Sequence, residues 1–239
     1  MSNKEQEQKY PHDEIMRRYA HLDGAALLRP LIEREFPGRI ALVSSFGAES
    51  AVLLHLVASI DRAVPVLFVD TGKLFGETLR YRDALTSRLG FHDVRSIGPD
   101  KVRIAAADPD GMLWQRDPDA CCNLRKVEPL AEALEGFDAW ISGPKHYQGG
   151  ARAAIPALES AGSLLKVNPL VNWSKSQIEA AFVAHDLPRH PLEADGFLSI
   201  GCMPCTGRVA PGADPRSGRW AGTAKTECGI QLGFARVSA

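Results

Sequence analysis

Apolar positions along the chain follow two rhythms in turn. Residues 25–36 carry them at helical spacing behind Asp23, a residue suited to an N-cap, and Pro37-Gly38 ends the run. Ile40-Ala-Leu-Val-Ser44 is a short unbroken apolar segment, the mark of a strand covered on both faces. Residues 50–60 then read as a buried helix, 64–70 as a second strand, 77–89 as a helix and 91–97 as a weaker third strand. Two more strands are expected at 137–142 and 164–167, with helical or loop segments between them. Ser174-x-x-Gln177 is a capping box opening a helix that ends near His185. Strands alternating with helices predict parallel βαβ units, hence an α/β fold with a doubly wound, mostly parallel, Rossmann-like sheet. Ligands of such sheets bind at the C-terminal ends of the strands.

Residues 1–22 read as a polar tail with a short helix, 23–206 as the α/β domain and 207–239 as a flexible C-terminal tail. Beyond Pro188 the periodicity fades and Pro, Gly, Arg and Cys dominate. No internal repeat and no second core is visible.

Composition narrows the function classes. The 239 residues carry 28 Lys+Arg against 29 Asp+Glu, with 45% hydrophobic and 24% charged residues, an ordinary globular balance. A net charge of −1 argues against a nucleic-acid binder, whose affinity rests on cationic surface. The start, MSNKEQEQKY, has no apolar core, and the most apolar stretch, 51–60, contains His55 and is too short to cross a bilayer. A cytoplasmic protein with no membrane partner is the expectation. In that compartment clustered cysteines are metal ligands or catalysts more often than disulfides.

Three motifs carry chemistry. Val43-Ser-Ser-Phe-Gly-Ala-Glu-Ser50 joins the first strand to its helix. Its small residues would let backbone N–H groups and a helix N-terminus meet an anion, although a plain tight turn explains it as well. Cys121-Cys122 and the distant Cys202-Met-Pro-Cys205 supply four thiols, which fit zinc or an iron–sulfur cluster. Buried structural thiols and a redox CxxC are the alternatives. The fifth cysteine, Cys228, lies in Lys225-Thr-Glu-Cys-Gly-Ile-Gln231-Leu232 with Arg216 and Arg219 upstream. Nearby cations favour its thiolate; an inert exposed thiol is the bland reading. Lys73, Arg125, Lys126, Lys145, Arg152, Arg216 and Arg219 adjoin these motifs and point to a multiply anionic ligand. The histidines His12, His21, His55, His92, His185 and His190 have no metal-ligand spacing and read as structural.

Together these motifs resemble the assimilatory adenylyl-sulfate reductases, with their phosphoadenylyl-sulfate relatives. The resemblance runs from about Ser44 to Leu232. It rests on Ser45-Phe-Gly-Ala-Glu49, on Asp70-Thr-Gly-Lys-Leu-Phe-Gly-Glu-Thr78, and on Cys121-Cys-Asn-Leu-Arg-Lys-Val-Glu-Pro-Leu130. GFLSIGCMPCT (196–206), RSGRW (216–220) and KTECG (225–229) complete it. The resemblance implies an adenine-nucleotide-alpha-hydrolase-like fold and a two-step reduction. Cys228 would attack the sulfur of adenylyl sulfate, expelling AMP and leaving an S-sulfocysteine, and thioredoxin would release sulfite. It implies a [4Fe–4S] cluster, not the electron donor, on Cys121, Cys122, Cys202 and Cys205. Substrate contacts would fall to Ser44, Ser45, Gly47, Asp70, Lys126, Lys145, Arg152, Arg216 and Arg219.

Two departures from the family pattern stand out. Gln231 occupies the usual His position, and Gly143-Pro-Lys145-His-Tyr-Gln148-Gly149-Gly-Ala-Arg152 has Lys and Gly where the family has Arg and Ser. Three rivals remain. The first is a phosphoadenylyl-sulfate reductase, a branch that generally lacks the cluster cysteines. The second is an ATP-pyrophosphatase-like adenylating enzyme, which would need SGGxDS in place of Ser45-Phe-Gly-Ala-Glu-Ser50. The third is a non-catalytic metal-bearing regulator. A homo-oligomer is left open, and nucleic acid is not expected as a partner.

Overall fold

The computed structural model describes residues 12–230. Among the described residues six strands form one sheet: β1 Ile40–Ser44, β2 Val66–Val69, β3 Val94–Ile97, β4 Ala139–Ile141, β5 Leu158–Ala161 and β6 Leu164–Val167. Their spatial order is β3-β2-β1-β4-β6-β5, and every neighbouring pair is parallel except β5 with β6. The chain winds outward from β1 to β3 on one side and then crosses to β4 on the other. The reversal places a crevice at the C-terminal ends of β1 and β4.

Strand residues alternate between two cores, as period two demands. Ile40, Leu42, Val66, Phe68, Ala139 and Ile141 join the larger cluster, with the helices Gly24–Pro30, Ser50–Ala58 and Lys175–Ala184. Ala41, Leu67, Val69 and Trp140 face the other side and pack on Leu130 and Leu134 of the opposite layer. Both faces of the central strands are therefore covered, which is why they read as unbroken apolar runs.

Several expected elements change on inspection. The helix expected over 25–36 starts at Gly24, and Asp23 makes no side-chain cap; Pro30, which has no N–H to give, is followed by a π-helical turn at Leu31–Glu35. A second π turn, Asn123–Val127, follows directly on the helix Pro118–Cys122. The third strand is shorter than expected, 94–97, with exposed Arg95 and Ser96. Strand β5 was not foreseen; its register Glu159↔Lys166 and Leu158↔Val167 builds an antiparallel edge hairpin. The Ser174 box is present, with Gln177 N–H donating to Ser174 Oγ at 3.2 Å and Ser174 N–H donating to Gln177 Oε1 at 2.8 Å.

Beyond the helix Lys175–Ala184 the described residues form only short 3-10 turns as helical elements, and the chain runs as a strap over the C-terminal edge of the sheet. Met203 N–H donates to the Lys73 carbonyl (2.8 Å), which stitches the Cys202 segment to the loop after β2. Gly207 N–H donates to the Gly218 carbonyl (2.7 Å), closing a surface loop at its neck. A Cβ at Gly218 would lie 3.0 Å from the Gly207 carbonyl carbon, so the two backbones meet only because this residue is glycine.

Candidate active site

At the crevice opens a cleft whose empty space, open solvent included, is about 1240 Å³. Its floor is the turn after β1. Phe46 in that turn is fully buried, adopts φ +48° and packs edge-on against Phe68 at 5.4 Å. A bulky residue in the left-handed region is strained unless its surroundings hold it, and here the core does so. Phe46 N–H donates to Ser44 Oγ (3.1 Å), and Gly47 accepts from both the Ser50 N–H and its hydroxyl. Ser44, Ser45 and Gly47 thus face the cleft at the mouth of the helix Ser50–Ala58, the placement expected of an anion- and nucleotide-facing turn.

Lys126, Lys145, Arg152, Arg216, Arg219 and Cys228 line the same cleft. Long stretches of chain separate them, and the crossover topology and the strap bring them together. Asp70 is placed apart: its carboxylate accepts the Gly72 N–H at 3.0 Å and lines an adjoining depression with Lys101 and Arg125. Two cations counted with the anion site are committed elsewhere. Lys73 Nζ donates to the Gly111 carbonyl (2.6 Å). Arg125 is buried, with one Nη on the Thr71 carbonyl (2.9 Å) and the other on Asp108 (2.6 Å). Gln231 and Leu232 lie outside the described residues.

Two carboxylates in the cleft escaped the sequence reading. Glu49 accepts from Lys145 Nζ (2.9 Å), Tyr147 OH (2.7 Å) and Gln148 Nε2 (3.0 Å). Burial works against its charge, yet these donors outweigh it and hold its carboxyl below the usual range. Burial draws the Lys145 ammonium down, against the pull of Glu49. Glu227, the residue before Cys228, accepts from Arg152 and pairs with Arg216. Acids beside a cationic tail look like solvated surface in sequence; only the fold shows which arginines they meet.

Arg219 crosses the face of Trp220 at 4.4 Å and donates from Nε to the Cys205 carbonyl (3.2 Å). A Cβ on Gly201 would sit 2.6 Å from its Cζ, so this glycine makes room for the guanidinium. Lys126 is buried in the cleft. Burial would lower its ammonium, but the facing Cys202, Cys228 and Cys122 sulfurs reverse this and the net direction is upward.

Cys121, Cys122, Cys202 and Cys205, all free thiols, line one small pocket beside the cleft. Burial pushes the thiols of Cys121, Cys122 and Cys205 up, a penalty that a bound cation would reverse. Among the described residues no group of three or more His, Cys, Asp or Glu is arranged around a single metal ion. A [4Fe–4S] cluster asks for something different, one thiolate for each iron corner of a box rather than four on a point. The donor set fits that demand: four thiols and no competing carboxylate line the pocket. The Thr71 hydroxyl lies 3.2 Å from Cys202 Sγ. Two buried donors, Arg125 Nε and Trp220 Nε1, have no partner among the described residues, and both residues adjoin these cysteines.

Among the described residues, no helix is long and apolar enough to cross a membrane. Comparison with known proteins agrees with the geometry. A model of the phosphoadenosine phosphosulfate reductase domain matches residues 39–208. An adenosine 5'-phosphosulfate reductase of Mesorhizobium japonicum is 50% identical over 92% of this chain and 87% of its own length. A phosphoadenosine 5'-phosphosulfate reductase of Gloeobacter violaceus is 40% identical over 91% and 92%. The crystal structure of a phosphoadenylyl-sulfate reductase from Candida auris shares the fold, with a TM-score of 0.66 at 23% identity over 82% of this chain and 95% of that one. With its strand order, its cleft and its matched residues in agreement, this chain belongs to the phosphoadenosine phosphosulfate reductase domain family.

Proposed function

We propose that the chain is an adenylyl-sulfate reductase that forms an S-sulfocysteine on Cys228 and passes it to a thioredoxin-type dithiol. The observation that carries this reading is the meeting of Cys228 with five cations in one cleft at the sheet's switch point. In the first step the Cys228 thiolate attacks the sulfonate sulfur. A sulfur–sulfur bond forms, the sulfur–oxygen bond to phosphate breaks, and the electron pair leaves on AMP. Arg152, Arg216, Arg219, Lys126 and Lys145 would steady the phosphosulfate and the charge that develops on the departing phosphate. Lys145, where the family pattern has Arg, offers a point charge rather than a two-pronged contact. Ser44, Ser45 and Gly47 would face the nucleotide. In the second step one thiolate of the dithiol attacks the Cys228 sulfur and expels sulfite with its electron pair; the second thiol then attacks the mixed disulfide, releasing Cys228 as a thiolate and leaving the dithiol as a disulfide.

Cys121, Cys122, Cys202 and Cys205 would hold a [4Fe–4S] cluster. When bound, it would supply a fixed local field beside the cleft rather than electrons. Lys126, buried between the cluster cysteines and Cys228, would pass that field to the substrate. The cluster cysteines favour adenylyl sulfate over its 3′-phosphorylated relative. Asp70 keeps a place in this reading as an orienting residue of the loop after β2, through its bond to Gly72.

The test is intact mass of anaerobically purified protein incubated with adenylyl or phosphoadenylyl sulfate, without thioredoxin. A sulfonate adduct mapped to Cys228, formed faster with the true substrate, is expected. No adduct from protein that holds about four irons per chain would overturn the reading.

A further inference from the structure

The cleft brings together five cations and two carboxylates, and the carboxylates already claim three of the cations. Lys145 is paired with Glu49 (2.9 Å). Arg152 grips Glu227 in two-pronged fashion, Nε to Oε1 at 2.6 Å and Nη2 to Oε2 at 3.1 Å, while Arg216 Nη2 reaches the same Oε1 at 3.0 Å. The Glu227 side chain is only 5% exposed. Among the described residues, Lys126 and Arg219 form no ion pair with a carboxylate. An incoming nucleotide with two or more negative charges therefore finds three of the five cations already held by the chain's own acids, two of them by Glu227.

The acid can move. Residues 224–228 form neither helix nor strand, and glycines in the left-handed region stand at either side, Gly222 at φ +83° and Gly229 at φ +87°. At such positions backbone rotation is cheap. Side chains hold the segment: Lys225 to Asp119, Glu227 to the two arginines, and Arg216 Nη2 to the Thr226 carbonyl at 2.8 Å. Two of these three ties run through Arg216 or Arg152, residues that face the anion site.

We infer that Glu227 is an internal counter-anion: it occupies Arg152 and Arg216 until the nucleotide's anionic group takes its place, and the exchange lets the Cys228 segment reseat. The inference rests on the adenylyl-sulfate reading above. It makes Glu227 a positioning residue, and it predicts that the chain's own carboxylate helps to displace AMP after sulfur transfer, since both compete for the same guanidinium groups.

Calorimetric titration of the full chain with AMP tests it, using the parent, Glu227→Gln and Glu227→Asp. Removing the competing charge should tighten AMP binding roughly tenfold in Glu227→Gln, the scale of one charge-assisted contact, and about two- to threefold in the shortened Asp variant. In step with this, AMP should speed tryptic cleavage after Lys225 in the parent, while Glu227→Gln should be cut quickly without it. A residue that merely seats the tail would give unchanged or weaker AMP binding on substitution, and that result would overturn the inference. If the parent bound neither AMP nor adenylyl sulfate, the functional reading would fall instead. Titration with inorganic phosphate would then decide, by the same comparison of variants, whether Glu227 guards an anion site.

Discussion

Neutralising Asp108 isolates what a buried ion pair does for the segment that carries Cys121, Cys122 and Lys126. The Asp108 side chain is fully buried and its partner Arg125 is 8% exposed, with 2.6 Å between them. Asp108 Oδ1 also accepts the Leu113 N–H at 2.7 Å, and Arg125 reaches the Thr71 carbonyl at 2.9 Å, so the pair ties three segments together. Asp108→Asn keeps the shape but leaves a guanidinium in the interior without its counter-charge. An effective dielectric of about 20 and a separation of about 4 Å between charge centres give an attraction of about 4 kcal/mol, within the range of about 3–5 kcal/mol for breaking a buried pair. For a chain of this size that corresponds to a fall in melting temperature on the order of 10 °C. Urea unfolding of parent and variant under identical anaerobic conditions reads the loss directly. Replacing both partners with apolar residues of similar volume, Asp108→Leu with Arg125→Met, should recover much of it, because no charge is then stranded. A loss below about 1 kcal/mol in Asp108→Asn would place the pair with solvent-screened surface bridges and refute the reasoning.

Three further outcomes are expected. Cys228→Ser should abolish turnover and leave AMP affinity within about twofold, the size of an uninvolved surface change; loss of binding would point to a structural thiol. Gly201→Ala should push the Arg219 guanidinium off Trp220 and the Cys205 carbonyl and so misplace it for the ligand, costing about 1.5–3 kcal/mol in nucleotide affinity, the worth of one hydrogen bond to a charged group. Unchanged affinity there would show that Arg219 does not meet the ligand. His190 is buried neutral, accepting the Leu192 N–H (3.2 Å) on Nδ1 and bonding Thr78 at 3.0 Å, and burial lowers its pKa to about 4. The unfolded chain takes up a proton below about pH 6.5 that the folded chain refuses until about pH 4, so this contribution is present above 6.5 and lost as pH falls through the window, by up to about 3 kcal/mol. His190→Gln should flatten the stability–pH slope there, and an unaltered slope would assign it to other groups.

What could be read in advance follows a physical divide. The central strands announce themselves because burial on both faces leaves no polar position in Ile40-Ala-Leu-Val or Val66–Val69. Of the edge hairpin only β5 escaped, because Glu159 and Ser160 break its apolar run; Glu159 pairs with Lys166 of the foreseen strand at 2.8 Å, an arrangement invisible before register is known. The π turns were hidden for a related reason, since one extra residue in a turn leaves no mark on helical spacing. Cysteine and glycine-loop motifs were legible as chemistry because few other roles demand those residues in that order. Which of the many charges face a ligand was not: Arg125 and Lys73 turned inward, while Glu49 and Glu227 turned toward the cleft. Charge type is written in the chain, but its counter-charge sits far along the sequence.

The pinched neck between Gly207 and Gly218 has a consequence for engineering. Residues 210–214 of the loop it closes are exposed, and Gly212, at φ +80°, has open space around it. Length added there enters the exposed turn ahead of Arg216, at about 0.6 kcal/mol for each doubling of the loop. A fluorophore or short epitope inserted at Gly212 would sit on the strap in open solvent, outside the cleft.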